Sequence, residues 1–312
     1  IDEETQIALN QDDKTPDKLK KAKHTEISFA AKIENGKLKA IQGDESLIFT
    51  YLPTKVTNFE FPFLVNGNFL TNASREGIHE DRVWNQWLFQ LIGEKIFDWF
   101  ELLSKSEFKF QILHLLPNNS SLNRLKNSFN ESFTRNGKSK SFIPNKSSQL
   151  KKVSEIIIDK TDLSEQDFIS TETIIEYINE KTGKSYSVGS FVHPKLESKH
   201  KLKILGVYTF ELENLEDFFV DDIFKANHQP SHNFSLIKYF YERDKYLSNK
   251  EYTEKLKSLP FIYAKGEKMQ SPHQLMFPGI KDLESEIEDE ILNSLPKIHK
   301  VVNQQIENNT MA

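Results

Sequence analysis

The 312-residue sequence contains no cysteine. The chain therefore forms no disulfide, has no thiolate nucleophile and lacks the ligands of the usual zinc fingers, and this composition suits a reducing compartment. No apolar run approaches the roughly 18–20 residues that a membrane span needs, and no signal peptide is visible. We therefore expect a cytoplasmic protein that has no membrane partner.

The patterns of common phosphate and metal sites are also missing. Gly137-Lys138-Ser139 has the residues that end a phosphate loop, but Glu131-Ser132 stands where the upstream glycine is required. His228 and His232 are four residues apart, but Pro230 between them prevents a regular helix from aligning them as metal ligands. The sequence therefore predicts no catalytic residue and no metal ligand within this chain.

Composition indicates a folded chain that is long enough for one large domain or two ordinary ones. Apolar residues make up 37% and charged residues 28%, but 24 phenylalanines compensate because each ring buries a large area. The formal charge of −5 argues against a surface that coats nucleic acid. Two local basic runs, Lys18–Lys23 and Arg135–Lys140, leave nucleic acid open as a less favoured partner.

The first part of the chain has the alternation of strands. Asn35-Gly36 predicts a hairpin turn, and a strand over 47–52 is expected to end at Pro53. Phe63–Val65 predicts a buried strand followed by a tight turn at Asn66-Gly67. Short connections between these segments indicate an antiparallel or mixed sheet.

A long helix should follow this sheet. Asp81 is a plausible N-cap, and apolar residues at helical spacing run from about 82 to 104. Trp84, Trp87 and Trp99 lie on this stripe, so we expect the helix to bury its tryptophans against the sheet.

From residue 150 onward the pattern changes to helices separated by short strands. Before that point we predict a helix over 122–133 and a basic loop over 135–140. After it we predict a helix from Ser170 or Thr171 to a C-cap at Gly183 and a helix over 215–226 capped by Asn214. A helix over 231–247, a small hairpin over 261–269 and a charged helix over 282–307 complete the prediction.

The segment Asn72-Ala73-Ser74-Arg75-Glu76 places one arginine on a loop before the tryptophan helix. A guanidinium is always charged and has five donors, which suits recognition of phosphate. The alternative is that Arg75 pairs with Glu76, Glu80 or Asp81 and only fixes the turn.

Three runs resemble sacsin-type proteins: Leu47–Thr54, Phe61–Glu76 and Asp81–Leu88. In that family a similar segment follows a GHKL ATP-binding domain, of the superfamily of gyrase, heat-shock chaperones, histidine kinases and MutL. Asn72 to Glu76 is also similar to the Asn-Val-Ser-Arg-Glu segment in the middle domain of the large heat-shock chaperone ATPases. There the arginine reaches the nucleotide's γ-phosphate across a domain boundary.

This resemblance implies an α+β protein with a transducer-like sheet-and-helix domain followed by a helix-rich, sacsin-repeat-like domain. Weaker similarity to sacsin repeats around 205–207, 259–262 and 271–278 supports the second domain. The expected divisions are a polar lead-in over 1–24, the transducer-like middle domain over 25–149, the repeat-like domain over 150–281 and a charged C-terminal helix over 282–312.

The resemblance implies a non-catalytic coupling region with a chaperone-like role, in which Arg75 senses nucleotide and Asn72 and Ser74 shape its loop. The chain has no Asp-x-Gly-x-Gly motif, so we expect it to bind no cofactor itself, with ATP and magnesium held by an upstream GHKL domain of a longer parent protein. Because the first residue is isoleucine, we expect the chain to begin inside that parent, and whether the parent is an active ATPase stays open.

A protein client is another expected partner of the coupling region. Two alternative functions remain: a protein-interaction scaffold without a nucleotide role, and the regulatory part of a bacterial nucleic-acid or defence-associated ATPase.

Overall fold

A computed structural model of the chain describes residues 1–118, 123–247, 250–264 and 268–275, together with 298, 302 and 304–306. The fold is mixed α and β, with several small sheets. It divides into two compact units, the first formed by 1–158 with 189–209 and the second by 159–188 with 210–312. The expected boundary between the two domains lay after residue 149, so the observed division differs from it in position. The assignment of the two parts to family domains stays a prediction. The predicted charged helix over 282–307 lies almost wholly outside the described residues.

The first unit contains a four-stranded mixed sheet. Its strands are β1 (Ile27–Ala30), β4 (Ile48–Thr50), β5 (Leu52–Pro53) and β6 (Leu64–Gly67), in the order β1-β6-β4-β5, and a separate hairpin joins β2 (Lys32–Glu34) to β3 (Lys37–Lys39). β6 runs antiparallel to β1 and parallel to β4. Asn35 and Gly36 both have positive φ between β2 and β3, so the predicted hairpin turn is confirmed.

The predicted turn at Asn66-Gly67 is wrong. Both residues lie inside β6, opposite Ser28 and Ile27 of β1. A Cβ on Gly67 would lie 3.1 Å from the ring of Phe69. The glycine therefore makes room for an aromatic ring and does not reverse the chain.

The expected strand over 47–52 is interrupted. Tyr51 has a φ of 67° and reverses the chain, so β4 ends at Thr50 and β5 returns beside it. A tyrosine rarely adopts this left-handed conformation. The sequence pattern therefore gives no sign of a turn at Tyr51 and predicts one continuous strand.

Helix α3 (Val83–Leu103) confirms the predicted tryptophan helix. Trp84 and Trp87 are buried, and Trp99 is half-buried and stacks on Phe29 of β1 at a centroid distance of 5.4 Å. The helix therefore packs its tryptophans on the sheet as expected.

The N-cap assignment for this helix is wrong. Asp81 pairs with Lys14, and the first helical N–H, that of Val83, donates to Asp12 at 3.3 Å. Asp12 follows helix α1 (Glu3–Gln11), whose Leu9 is fully buried in the core. The N-terminal residues therefore belong to the first unit, because Leu9 lies in its core and Asp12 binds the start of α3. A carboxylate near a helix N-terminus is stabilising.

Helix α4 (Arg124–Gly137) begins after its N-cap Asn123, within two residues of the prediction, but continues past the predicted end at 133. The predicted loop over 135–140 is wrong for its first three residues. A Cβ on Gly137 would lie 2.7 Å from Phe97 and 2.9 Å from Leu205. Gly137 is the last residue of α4, and its missing side chain permits this close packing.

Replacing Gly93 by alanine should destabilise the first unit. Gly93 lies where α3 crosses α4, and a Cβ there would lie 2.5 Å from the carbonyl oxygen of Phe129 and 2.8 Å from the backbone nitrogen of Phe133. Backbone atoms cannot rotate away, so we expect a loss of about 2–3 kcal/mol, as for overpacked cores. Urea unfolding measures it, with Gln90→Ala on the exposed face of α3 as the control. A Gly93→Ala variant as stable as the control would contradict this crossing.

A lysine is buried in the first unit. Lys126 of α4 is 1% exposed, its ammonium donates to the carbonyl of Phe59 at 3.2 Å, and it lies 4.9 Å from the ring centroid of Phe61 and 5.0 Å from that of Phe129. Burial lowers the pKa of Lys126 from 10.5 to about 8. The folded chain therefore binds fewer protons than the unfolded chain between these two values.

The free energy of unfolding should depend on pH, because the folded and unfolded chains bind different numbers of protons at Lys126. Relative to Lys126→Met, the natural chain should gain stability as pH rises from about 8 to 10.5, because deprotonation removes the charge that burial penalises. The gain is on the order of 3 kcal/mol, at about 1.4 kcal/mol per pKa unit. Denaturant unfolding of both chains at several pH values checks it. A difference that does not vary with pH would show that the ammonium is solvated.

From residue 143 onward the described part of the chain contains further helices and strands. They are β7 (Ile143–Pro144), β8 (Leu150–Lys151), β9 (Ile157–Asp159), α5 (Thr171–Thr182), β10 (Tyr208–Phe210), α6 (Leu212–Val220), α7 (Asp222–Asn227), α8 (Asn233–Leu247), α9 (Lys250–Ser258), β11 (Ile262–Tyr263) and β12 (Met269–Gln270).

Helix α5 confirms both predicted caps, since Ser170 accepts from Thr173 N and Gly183 is left-handed at the C-terminus. The β11–β12 hairpin is also confirmed. Asn214 is not an N-cap: α6 starts earlier, and the Asn214 side chain accepts from the backbone of Glu211 at 2.7 Å. A second cap at Asp221 then splits the predicted single helix into α6 and α7.

Candidate functional site

Residues 71–78, here called the Arg75 loop, connect the sheet of the first unit to α3. The loop is closed by an antiparallel bridge between Thr71 and Ile78 and by a hydrogen bond from Asn72 N to Gly77 O at 3.1 Å. It is therefore a defined turn fastened at both ends.

Asn72 and Ser74 shape the inside of this loop. The Asn72 side-chain oxygen accepts from Glu76 N at 2.9 Å, from Gly77 N at 3.3 Å and from the Ser74 hydroxyl at 3.2 Å. Asparagine commonly organises turns by accepting from backbone N–H groups further along. The Asn72 side chain and the Ser74 hydroxyl thus stabilise the turn that carries Arg75.

Arg75 is half-buried, with a left-handed backbone at φ 60°. Its Nη2 donates to the carbonyl of Thr50 at 2.6 Å, to the carbonyl of Leu52 at 3.0 Å and to the Thr50 hydroxyl. The Arg75 carbonyl in turn accepts from Lys55 N at 3.0 Å. The arginine is thus tied to the β4–β5 hairpin, which holds the guanidinium in place.

The carboxylates near the loop have other partners. Glu76 pairs with Lys55, whose ammonium lowers the pKa of Glu76, and Asp81 pairs with Lys14. Within the described ranges no carboxylate contacts the Arg75 guanidinium. The alternative in which Arg75 fixes its turn by pairing with a neighbouring carboxylate is therefore wrong, although Arg75 does fasten the hairpin through carbonyl oxygens.

Two nitrogens of the guanidinium are left over. Nε is buried and has no hydrogen-bond partner, and Nη1 has none in the described part of the chain. A buried donor without a partner costs about 1–3 kcal/mol, and such groups are rare in folded proteins. Arg75 therefore keeps hydrogen-bonding capacity that the first unit does not use.

A buried asparagine of α3 holds both ends of the Arg75 loop. The Asn85 amide donates to Leu70 O and to His79 O, each at 2.8 Å, and its oxygen accepts from Leu70 N at 2.8 Å. Asn85 is completely buried. Sequence reasoning missed this residue, which is one of two polar residues between Trp84 and Trp87. A polar side chain on the apolar face of a helix is the signal that could have found it.

Exposed apolar side chains flank the arginine. Tyr51 is 93% exposed and Leu52 is 54% exposed, and Nη2 of Arg75 binds the carbonyls on either side of Tyr51. The backbone of Tyr51 is fixed by donation to the Asn66 side chain at 3.1 Å. The hairpin therefore presents the exposed Tyr51 side chain from a backbone segment that Arg75 holds.

A pocket in the first unit, with a volume of about 350 Å³, has polar groups from Gln42, Glu60, Asn118 and Lys201 in its lining. No residue of the Arg75 loop lines it. Lys201 donates to the carbonyls of His114 and Leu116 at 3.0 and 3.1 Å, and burial lowers its pKa. Its cation is therefore already held by backbone oxygens.

No protein-family model matches this chain, and neither does a curated protein or a solved structure. The relation to sacsin-type proteins thus stays a resemblance of the quoted segments. Among the described helices, none combines the length and apolar character needed to cross a membrane.

The two histidines considered as metal ligands have different surroundings. His228 is buried between Phe224 and Tyr263, and burial lowers its pKa to about 4, so the ring is neutral at pH 7. His232 lies in a 3₁₀ turn after Pro230. Over the described residues, no cluster of three or more histidine or acidic side chains could hold a metal ion.

The two basic runs lie on separate elements. Lys18 and Lys20 belong to helix α2 (Asp17–Lys20), while Arg135 lies in α4 and Lys140 pairs with Asp98. They do not form part of the Arg75 loop.

Proposed function

We propose that this chain is a non-catalytic coupling region of a sacsin-like GHKL ATPase. In this proposal Arg75 contacts the γ-phosphate of ATP bound by an upstream domain, and α3 passes the resulting closure to the rest of a chaperone-like machine. The observation that carries the proposal is the Arg75 guanidinium, which has no carboxylate partner in the described residues and makes its side-chain hydrogen bonds there through Nη2 alone.

The geometry suits a phosphate contact made from outside the unit. Nη2 is anchored to the hairpin carbonyls, so less side-chain freedom is lost when Nη1 meets an anion. Charge-assisted hydrogen bonds from arginine to phosphate are among the stronger contacts available to a protein. A preorganised cation of this kind stabilises charge that develops during phosphoryl transfer.

Transmission of closure is supported by the contacts of Asn85. This side chain joins the two ends of the Arg75 loop to α3, and α3 is packed against both the sheet and α4. A displacement of the loop would therefore displace α3 as well, because protein interiors are close-packed and transmit strain.

The chain alone should show no ATP hydrolysis above background and no ATP binding at millimolar or lower concentration. The reason is that it lacks the Asp-x-Gly-x-Gly motif and the glutamate–asparagine helix that hold adenine, magnesium and the attacking water in GHKL domains. A coupled-enzyme assay and isothermal titration with Mg-ATP check it. Saturable binding with magnesium-dependent turnover would overturn the proposed division of labour.

A protein-interaction scaffold is the second candidate, and the exposed Tyr51–Leu52 tip favours it. A scaffold would bind its protein partner equally well with or without nucleotide, and Tyr51→Ala would weaken that binding. The coupling proposal instead requires that docking at this tip depend on ATP. Affinity measurements with and without a non-hydrolysable ATP analogue separate the two.

A further inference from the structure

A buried histidine of the second unit lies where three elements meet. His228 follows the last residue of α7 and is 3% exposed. Its ring stacks on Phe224 of α7 at a centroid distance of 4.9 Å and on Tyr263 of β11 at 5.8 Å, and Phe168 meets it edge-on. The Tyr263 hydroxyl also donates to the His228 carbonyl at 2.6 Å. Aromatic side chains therefore enclose the imidazole and fix its position.

A buried asparagine determines which ring nitrogen accepts a hydrogen bond. Asn233, the first residue of α8, is completely buried. Its amide nitrogen donates to Phe261 O at 2.7 Å and its side-chain oxygen accepts from Tyr263 N at 3.0 Å, which together define the orientation of the amide. The same amide nitrogen lies 3.2 Å from His228 Nε2. Because an amide nitrogen only donates, Nε2 accepts and the neutral ring carries its proton on Nδ1.

Protonation of the ring would break this arrangement. An imidazolium has an N–H on both nitrogens, so the Nε2–H would face the Asn233 amide N–H, and two donors would meet. Asn233 presents its oxygen to the ring only by giving up both of its hydrogen bonds to the backbone around β11. The contact between α7, α8 and β11 therefore depends on a neutral His228.

The charges around the ring do not offset the cost of protonation. Burial lowers the pKa of His228 to about 4, while the backbone of Phe168 raises it and the charge of His232 lowers it. Asp221, at the start of α7, pairs with Lys181. The other charged side chains on the segments packed around the ring are exposed, and they include Asp167, Asp222, Lys225 and Lys238.

We propose that His228 and Asn233 form an acid-sensitive latch, which joins α7 and β11 to the start of α8 while the imidazole is neutral and releases β11 when the imidazole is protonated. The folded chain binds a proton at His228 less tightly than the unfolded chain. The latch therefore contributes its full stability above about pH 6.5 and loses it as the pH falls toward about 4. It lies in the second unit and is independent of the proposed function of Arg75.

The test is hydrogen exchange of the whole chain, measured by mass spectrometry from about pH 6.5 to 4.5, within the range where the latch loses stability. Each exchange rate is divided by the rate of an unstructured peptide at the same pH, which gives a protection factor. The variant is His228→Gln, whose side-chain oxygen accepts from Asn233 at every pH in this range. The matched control is His273→Gln, which removes an exposed histidine of the same unit.

In the natural chain and in the control, the protection of the β11 amides should fall at least about tenfold over this range, since one pKa unit corresponds to a factor of ten. In His228→Gln it should change much less, and the amides of α3 in the first unit should not follow β11. An equal fall in His228→Gln and in the natural chain would overturn the proposal. So would a loss of protection in α3 as large as that in β11.

Nuclear magnetic resonance of the natural chain gives a second test that needs no folded variant. The nitrogen-15 shifts of the His228 imidazole should show a neutral ring with its proton on Nδ1 down to about pH 5. A proton on Nε2 in the neutral ring, or a ring that is already charged at about pH 6, would overturn the latch.

Discussion

In the proposed longer protein, where this chain would follow a GHKL ATP-binding domain, replacing Arg75 by alanine should lower ATP turnover by about 100- to 1000-fold. That is the usual loss when one preorganised donor to transition-state charge is removed. Nucleotide affinity should change little, because the adenine and magnesium contacts belong to the other domain. Single-turnover hydrolysis and nucleotide binding, measured on the same preparation, separate the two quantities.

A stability measurement and one control variant show whether such a loss comes from phosphate contact or from unfolding. Arg75 also fastens the hairpin through Thr50 and Leu52, so Arg75→Ala should lower the free energy of unfolding by about 1–2 kcal/mol. Arg124→Ala removes an exposed arginine of α4 and should leave turnover unchanged. Normal turnover in a folded Arg75→Ala protein would leave Arg75 with its structural role alone.

Replacing Trp87 by alanine should cost about 3–5 kcal/mol of unfolding free energy, the range for large buried rings. Trp87 is 8% exposed and packs against Trp84 at a centroid distance of 5.2 Å. Leu102→Ala on the same helix is the control, because Leu102 is 67% exposed and its truncation should change stability by less than about 0.5 kcal/mol. Urea unfolding followed by circular dichroism gives both values. Equal costs for the two variants would mean that Trp87 is not part of the core.

Elements whose signals are local could be predicted from the sequence. The apolar stripe predicts α3 to within one residue at each end, and Ser170 and Gly183 mark both caps of α5. Asn35-Gly36 forms a turn in which both residues have positive φ. Asn66-Gly67 is the same dipeptide but lies in a strand, because it pairs with Ser28 and Ile27 of β1.

Features that depend on distant segments could not be predicted. Asp12 caps α3 from 71 residues away, and no local pattern in either segment announces it. Gly137 looks like a loop residue until Phe97 and Leu205 are seen packed against it.

Contacts between distant segments also could not be predicted at the candidate site. The residues themselves indicate a loop that carries Arg75, and the role of Asn72 and Ser74 in shaping it is implied by the resemblance. The acceptor at Thr50 lies 25 residues from Arg75, and the Asn85 contact with Leu70 spans 15. Such contacts depend on how the sheet and helix pack, which residue types alone do not specify.

Hydrogen exchange of the Arg75 loop in the ATP-domain-containing protein tests the coupling proposal most directly. With a non-hydrolysable ATP analogue, amides of the loop and of the hairpin around Tyr51 should exchange at least about tenfold more slowly than with ADP, because docking would shield exposed backbone. Arg75→Ala should remove this difference. Equal exchange with the ATP analogue, with ADP and without nucleotide would contradict the account.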